Sequence, residues 1–66
     1  MTEIHIHELP NYLNKPILMQ DDYYQNKIQQ VKLTSISGLI VRGYNHTKSS
    51  FFEIYDCSTT KFYEKK

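Results

Sequence analysis

The sequence predicts a small all-β domain, on the basis of its length, its aromatic content and its lack of alanine. The chain has 66 residues, of which 14% are aromatic, and none is alanine. Aromatic and β-branched residues favour strands, whereas a chain without alanine is poorly suited to long helices. A chain of about 60 residues buries only about 60% of the surface that its unfolded form exposes. We therefore expect one domain over residues 1–66, mainly β with at most one short helical turn.

The first third of the chain predicts two short strands separated by a turn. Apolar and polar residues alternate over residues 4–7, which predicts a strand that Pro10 ends. Residues 9–13 favour one helical turn, because proline is tolerated in the first turn of a helix. Residues 16–19 form a brief apolar run that predicts a second strand. The polar residues 21–26 then predict a loop.

The rest of the chain predicts further strands joined by polar connections. Residues 27–36 carry the clearest alternation of apolar and polar side chains, which is typical of a half-buried strand. Residues 35–38 predict a turn, or alternatively a bulge at Gly38 in a strongly bent strand. The polar residues 45–50 predict a loop. The remaining strands are expected at residues 39–44, 51–56 and 60–63.

Five or six short strands with tight connections predict a meander that curls on itself. A five-stranded barrel or meander of the SH3-like type fits best, because closure removes the edges that a flat sheet would expose. The alternative is a sheet with one short helix packed on it. The expected core consists of the apolar residues of the best-patterned strands, which are Ile17, Val31, Leu33, Leu39, Val41 and Ile54.

Charge and cysteine content exclude several classes of function. The formal net charge is +1, so the chain lacks the large positive charge that would indicate nucleic-acid binding. The single cysteine, Cys57, excludes an intramolecular disulfide and a cysteine-rich zinc module. His5 and His7 are interpreted as the exposed face of the first strand rather than as metal ligands. We expect no metal, no cofactor and no enzymatic activity. The lack of a long apolar run or a signal-peptide pattern favours the cytoplasm.

Two aromatic clusters are the candidate partner-binding sites. Rings with polar neighbours are enriched at protein interfaces, and successive side chains of a strand point to opposite faces, so some of these rings must be exposed. The first cluster lies in the loop predicted at residues 21–26 and consists of Asp21, Asp22, Tyr23 and Tyr24. The second brackets the loop predicted at residues 45–50 and consists of Tyr44, Phe51, Phe52 and Tyr55.

These features predict a small stand-alone protein-binding module. Seven lysines against one arginine, with many asparagines, isoleucines and tyrosines, indicate an AT-rich genome, which is typical of low-GC bacteria and their phages. We therefore expect a phage or mobile-element accessory protein that inhibits or modulates a host protein or defence complex. The acids of the first cluster favour a partner with a basic groove, such as a nucleic-acid-binding enzyme. The alternative is a nucleic-acid-binding regulator in which lysines lie beside exposed tyrosines.

Overall fold

The computed structural model describes residues 2–20 and 27–65, in which six antiparallel strands form one sheet. The all-β prediction is confirmed. A 3₁₀ helix, Ile6–Tyr12, follows the first strand, and a shorter one, Cys57–Thr59, precedes the last. The strands are β1 (Glu3–Ile4), β2 (Pro16–Gln20), β3 (Ile28–Ser37), β4 (Ile40–Asn45), β5 (Ser50–Ile54) and β6 (Lys61–Glu64).

The order of strands in the sheet is β1-β6-β2-β3-β4-β5. Strands β2 to β5 form the predicted meander, and β6 returns to pair with β2 and with β1. No pairing joins β1 to β5 within the described residues, so the sheet is not closed into the barrel form of the prediction. One reason is the length of β1, which has two residues because the chain enters the 3₁₀ helix at Ile6.

The hydrophobic core lies on one face of the curled sheet. Odd-numbered residues of β2 and β4, and of β3 as far as Leu33, point to this face and are buried. The registers bring these positions together, since Val31 lies opposite both Ile17 and Asn45. The extents of 25 × 24 × 20 Å are nearly equal, as expected of a sheet that curls around its core. The buried apolar residues are Ile4, Leu9, Ile17, Met19, Val31, Leu33, Val41, Cys57 and Phe62.

The predicted core is confirmed for the central strands and wrong at one position. Leu39 is 46% exposed. It forms the two-residue turn between β3 and β4 together with Gly38, whose φ of +61° is the left-handed value that such a turn requires. Ile54 is half-buried and packs against the core from β5. The four predicted residues that are fully buried are Ile17, Val31, Leu33 and Val41.

The predicted strand over residues 4–7 is wrong beyond Ile4. Strand β1 ends at Ile4, and His7 lies inside the 3₁₀ helix, whose period is three residues rather than two. His5 and His7 therefore do not form one face of a strand, although both are exposed. The alternation of apolar and polar residues at positions 4–7 gave a wrong prediction, because a pattern of four residues does not distinguish a strand from a turn of 3₁₀ helix.

The 3₁₀ helix Ile6–Tyr12 covers one end of the core and contains most of the helical turn predicted at residues 9–13. Leu9 is fully buried and supplies its apolar contact with the sheet. The hydroxyl group of Tyr12 donates a hydrogen bond of 2.5 Å to Glu64 Oε1 at the end of β6. This bond raises the pKa of Tyr12 above its ordinary value. The helix is thus joined to the last strand as well as to the core.

Strand β3 bends at a bulge between Leu33 and Ser35, where its register with β4 shifts. Gly43 of β4 lies opposite Leu33 at this bend. A Cβ atom on Gly43 would overlap the carbonyl oxygen of Lys32 and lie 2.9 Å from the Cα atom of Leu33. Glycine at this position therefore permits the close approach of β3 and β4 that curls the sheet.

Candidate functional site

The outer face of the sheet, opposite the core, brings aromatic and charged side chains together. The registers place Tyr44 of β4 between Lys32 of β3 and Phe51 of β5. Residues directly opposite each other in an antiparallel sheet project to the same face, with Cβ atoms about 4.5–5.5 Å apart. A row that crosses three strands is therefore built from residues that are far apart in the sequence.

Three rings form what we call the aromatic patch, defined as Tyr44, Phe51 and Tyr55. The ring centroids of Tyr44 and Phe51 are 5.0 Å apart, with an angle of 77° between the ring planes. The ring of His46 makes a similar contact with Tyr44, at 5.0 Å and 69°. Such edge-to-face pairs contribute about 0.5–1.5 kcal/mol beyond the area they bury. Phe51 is nevertheless 80% exposed and Tyr55 is 70% exposed, so much of the patch faces solvent.

Alternation along β5 decides which of two adjacent phenylalanines is exposed. Phe52 lies opposite Gly43 on the core side and is half-buried against the core. Phe51 lies opposite Tyr44 and points to the outer face. The exposure of Phe51 is therefore a consequence of the register between β4 and β5, because a shift of one residue would exchange the two rings.

Glu53 connects Tyr55 to the rest of the outer face. Hydrogen bonds from Tyr55 and from Arg42 lower the pKa of the Glu53 carboxyl group, and the bond to Glu53 raises the pKa of Tyr55. Arg42 lies directly opposite Glu53 and forms an ion pair with it. Glu53 is thus ionised at neutral pH, and its negative charge is balanced within the patch by Arg42. Lys32, exposed on the other side of Tyr44, adds a positive charge.

A buried polar pair holds the turn that carries His46. The amide nitrogen of Asn45 donates a hydrogen bond of 2.5 Å to Gln29 Oε1, and both residues are buried. Asn45 Oδ1 accepts a bond of 2.9 Å from the backbone N–H of Lys48. The backbone N–H of His46 donates to the carbonyl oxygen of Gln30 at 2.7 Å. These bonds fix the turn after β4 and so keep His46 beside Tyr44.

The two predicted clusters have different outcomes. Tyr44, Phe51 and Tyr55 lie on the outer face, with Tyr44 and Phe51 in contact and Tyr55 hydrogen-bonded to Glu53 on the same face. The first cluster, Asp21, Asp22, Tyr23 and Tyr24, lies outside the described residues, and its role in binding stays a prediction.

Sequence reasoning did not assign His46 or Glu53 to the site. A signal for each was present, since His46 is two residues from Tyr44 and Glu53 is two residues from Phe51. Residues two apart on a strand share a face. The contact between Arg42 and Glu53 could not be foreseen in this way, because it depends on the register between two strands.

A cleft of about 360 Å³ lies on another side of the molecule, between β1, β6 and the 3₁₀ helix Cys57–Thr59. Its lining includes His5 and Cys57, which are the residue types of a thiol nucleophile and its base. Burial raises the pKa of the Cys57 thiol, however, and so opposes formation of the reactive thiolate. Within residues 2–20 and 27–65, no three His, Cys, Asp or Glu side chains are grouped as metal ligands.

We expect Cys57 to react with iodoacetamide at pH 8 at least about tenfold more slowly in the folded protein than in the denatured chain, because its thiol is buried and little ionised. Mass spectrometry reports the reaction as one adduct per chain, since the sequence contains one cysteine. The chain in 6 M guanidinium chloride is the control. Equal rates in the two states would show that Cys57 is accessible and reactive.

None of the helices in the described ranges combines the length and apolar character needed to cross a membrane. Comparison of the chain with protein-family models, with curated proteins and with solved structures found no match in any of the three.

Proposed function

We propose that this protein is a small protein-binding module that docks through the aromatic patch. The observation that carries the proposal is Phe51, a large apolar ring that is 80% exposed while its neighbour Phe52 supplies the contact with the core. The fold therefore does not need the ring of Phe51 for its own core. Burial of such a ring by a partner is strongly favourable, since one aromatic side chain buries about 150–250 Å².

The surroundings of Phe51 match the composition of interface hot spots. Tyrosine and arginine are enriched among the residues that dominate binding energy. Here Tyr44 lies opposite Phe51, and Arg42 lies opposite Glu53, two residues further along β5. Tyr55 follows two residues after Glu53 and is hydrogen-bonded to it. Contact with Tyr44 restricts the ring of Phe51 before binding, which lowers the entropy that binding costs. Arg42 and Glu53 supply a polar rim of matched charge.

The partner that we propose is a host protein or defence complex which the module inhibits or modulates, as a phage or mobile-element accessory protein. The amino-acid composition supports the proposed phage or mobile-element origin. Seven lysines, one arginine and no alanine are typical of proteins encoded by AT-rich genomes, among them those of low-GC bacteria and their phages. On this proposal the protein acts in the cytoplasm of the bacterial cell, where a single buried thiol is compatible with reducing conditions.

A second candidate function is binding of single-stranded nucleic acid. The observation in its favour is the position of Lys32, directly opposite Tyr44 on the outer face. Lysines beside exposed rings bind phosphates while the rings stack on bases. Glu53 lies in the same patch and would repel phosphates, although Arg42 balances its charge. Binding that releases counterions weakens steeply with salt, whereas an aromatic protein interface responds little.

The proposed function is tested by photo-crosslinking followed by titration. A benzophenone amino acid is placed at position 51 and, as a control, at position 39, where Leu39 is another exposed apolar residue. Binding through the aromatic patch predicts that position 51 captures a protein from a bacterial host lysate and that position 39 does not. A nucleic acid captured at position 51 would favour the second candidate. Equal capture at both positions would contradict a localised site.

With the captured partner purified, we expect Phe51→Ala to weaken binding by about 2 kcal/mol or more, which is the usual scale of a hot spot. Leu39→Ala is the matched control and should leave the affinity unchanged. Isothermal titration measures both, and circular dichroism shows that the variants stay folded. The Tyr23→Ala, Tyr24→Ala double variant, measured alongside, tests the first cluster. Unchanged affinity for Phe51→Ala together with a loss for the double variant would move the site to residues 21–24.

A further inference from the structure

Strand β5 is an edge strand with few of the features that normally prevent pairing with another chain. Natural edges are protected by charged side chains, above all lysine, by prolines, by bulges or by very short strands. The five residues of β5 include neither proline nor lysine, and its register with β4 is regular. Its one charged residue, Glu53, is paired with Arg42 of the same chain. The other edge strand, β1, has only two residues. Within the described residues, β5 is therefore the edge that offers the longest backbone for pairing with another strand.

The hydrogen-bond pattern identifies which backbone groups β5 offers. The N–H of His46 bonds to the carbonyl oxygen of Gln30, so even-numbered residues of β4 direct their backbone groups towards β3. Odd-numbered residues of β4 therefore direct their backbone N–H and C=O groups towards β5. Their partners in β5 are the even-numbered residues Ser50, Phe52 and Ile54. By this alternation, the N–H and C=O groups of Phe51 and Glu53 point away from β4, towards the outside of the sheet.

We propose that a second copy of this chain pairs with β5, antiparallel and about a two-fold axis at Phe52. This register is the one in which all five residues of β5 pair with β5 of the second copy, from Ser50 opposite Ile54 to Ile54 opposite Ser50. Phe52 meets its own counterpart on the core side. Pairing joins the two six-stranded sheets into one continuous sheet. The inference goes beyond the proposed function, because it concerns self-association through backbone groups.

The position of Glu53 favours this register over one centred on Glu53. With the axis at Phe52, Phe51 lies opposite Glu53 of the second copy, and no two charges of the same sign lie directly opposite each other. An axis at Glu53 would instead place two glutamates directly opposite, which is destabilising in a sheet. In the proposed register each Glu53 keeps its ion pair with Arg42 of its own chain. The formal net charge of +1 adds little repulsion between copies.

The outer face of the dimer then carries two aromatic patches side by side. Across the axis the row reads Tyr44, Phe51, and then Glu53 and Arg42 of the second copy. The rings stay on the outer face, while the contact uses the edge of the sheet. A dimer would thus present both patches to one partner, and two linked sites bind more tightly than one when both engage.

Two substitutions at one position test the register. Phe51→Glu and Phe51→Lys both remove a ring that the fold does not bury, but they place opposite charges against Glu53 of the second copy. Sedimentation equilibrium measures the dimer dissociation constant of each variant. Because the contact occurs twice in the dimer, we expect the constant of Phe51→Glu to exceed that of Phe51→Lys by about tenfold or more. We expect wild-type protein to form dimers as its concentration rises.

Amide hydrogen exchange of the wild-type protein gives an independent measurement. The N–H groups of Phe51 and Glu53 should become protected as the protein concentration rises, whereas that of Glu3 in β1 should not. Wild-type protein that stays monomeric at millimolar concentration would overturn the proposal. Equal dissociation constants for the two variants would also overturn it, since they would show that Glu53 does not face position 51. Both variants lose the ring needed for partner binding, so the proposed function predicts that each binds the partner more weakly than the wild-type protein.

Discussion

Replacing Leu33 by alanine is expected to lower the free energy of unfolding by about 2–5 kcal/mol. Leu33 is fully buried in the middle of β3, next to the bulge at which the sheet bends. Alanine would leave a cavity among residues of several strands, and a curled sheet held by close backbone contacts has little freedom to collapse into it. A domain of this size has a total stability near the low end of the usual range, about 5 kcal/mol. Urea denaturation measures the loss.

Leu39→Ala is the matched control for this experiment, because it removes the same atoms from an exposed turn. We expect its effect to stay within about 0.5 kcal/mol. A Leu33→Ala variant that unfolds within a few degrees of the wild-type melting temperature would show that β3 does not carry the core in the way described.

Gly43→Ala is expected to have the second largest effect, a loss of about 1–3 kcal/mol or failure to fold. The added methyl group would overlap the carbonyl oxygen of Lys32 and crowd the Cα atom of Leu33. Both are backbone atoms of the neighbouring strand, so no side-chain rotation relieves the overlap. The sheet would have to open at its bend. Thermal unfolding followed by circular dichroism measures the change.

Gly38 provides the control, because it separates backbone strain from steric overlap. A Cβ atom at Gly38 would meet nothing within 4 Å, but its φ is +61°. Gly38→Ala is therefore expected to cost about 1 kcal/mol of strain, and Gly38→Asn less, since asparagine tolerates this conformation. A Gly43→Ala variant as stable as Gly38→Asn would mean that β3 and β4 are not in close contact at this point.

The central strands could be predicted from the sequence, because each keeps one face in the core. Alternation over residues 27–36 corresponds to β3, and the apolar run at residues 16–19 corresponds to β2. Prediction failed where the chain leaves the sheet. At residues 4–7 the alternation was too short to separate a strand from a 3₁₀ helix, and at Leu39 an apolar residue occupies a turn that Gly38 makes possible.

The candidate site could be predicted only in part. Tyr44, Phe51 and Tyr55 were identified because aromatic residues are conspicuous and successive residues of a strand point to opposite faces. That alternation could not say whether Phe51 or Phe52 faces solvent. The answer depends on the register that places Phe52 opposite Gly43. The ion pair between Arg42 and Glu53 depends on the same register.

Local residue preferences and the two-residue period of strands are enough to specify the all-β class and the central strands, and the composition specifies the number of aromatic rings. The strand order, the curl of the sheet and the face on which each ring lies depend on tertiary contacts. The sheet bends where the bulge of β3 lies beside Gly43, which has no side chain. The aromatic patch forms because the registers place Tyr44 between Lys32 and Phe51. Pairing of this kind joins residues that are distant along the chain, and no local pattern specifies which strand lies beside which.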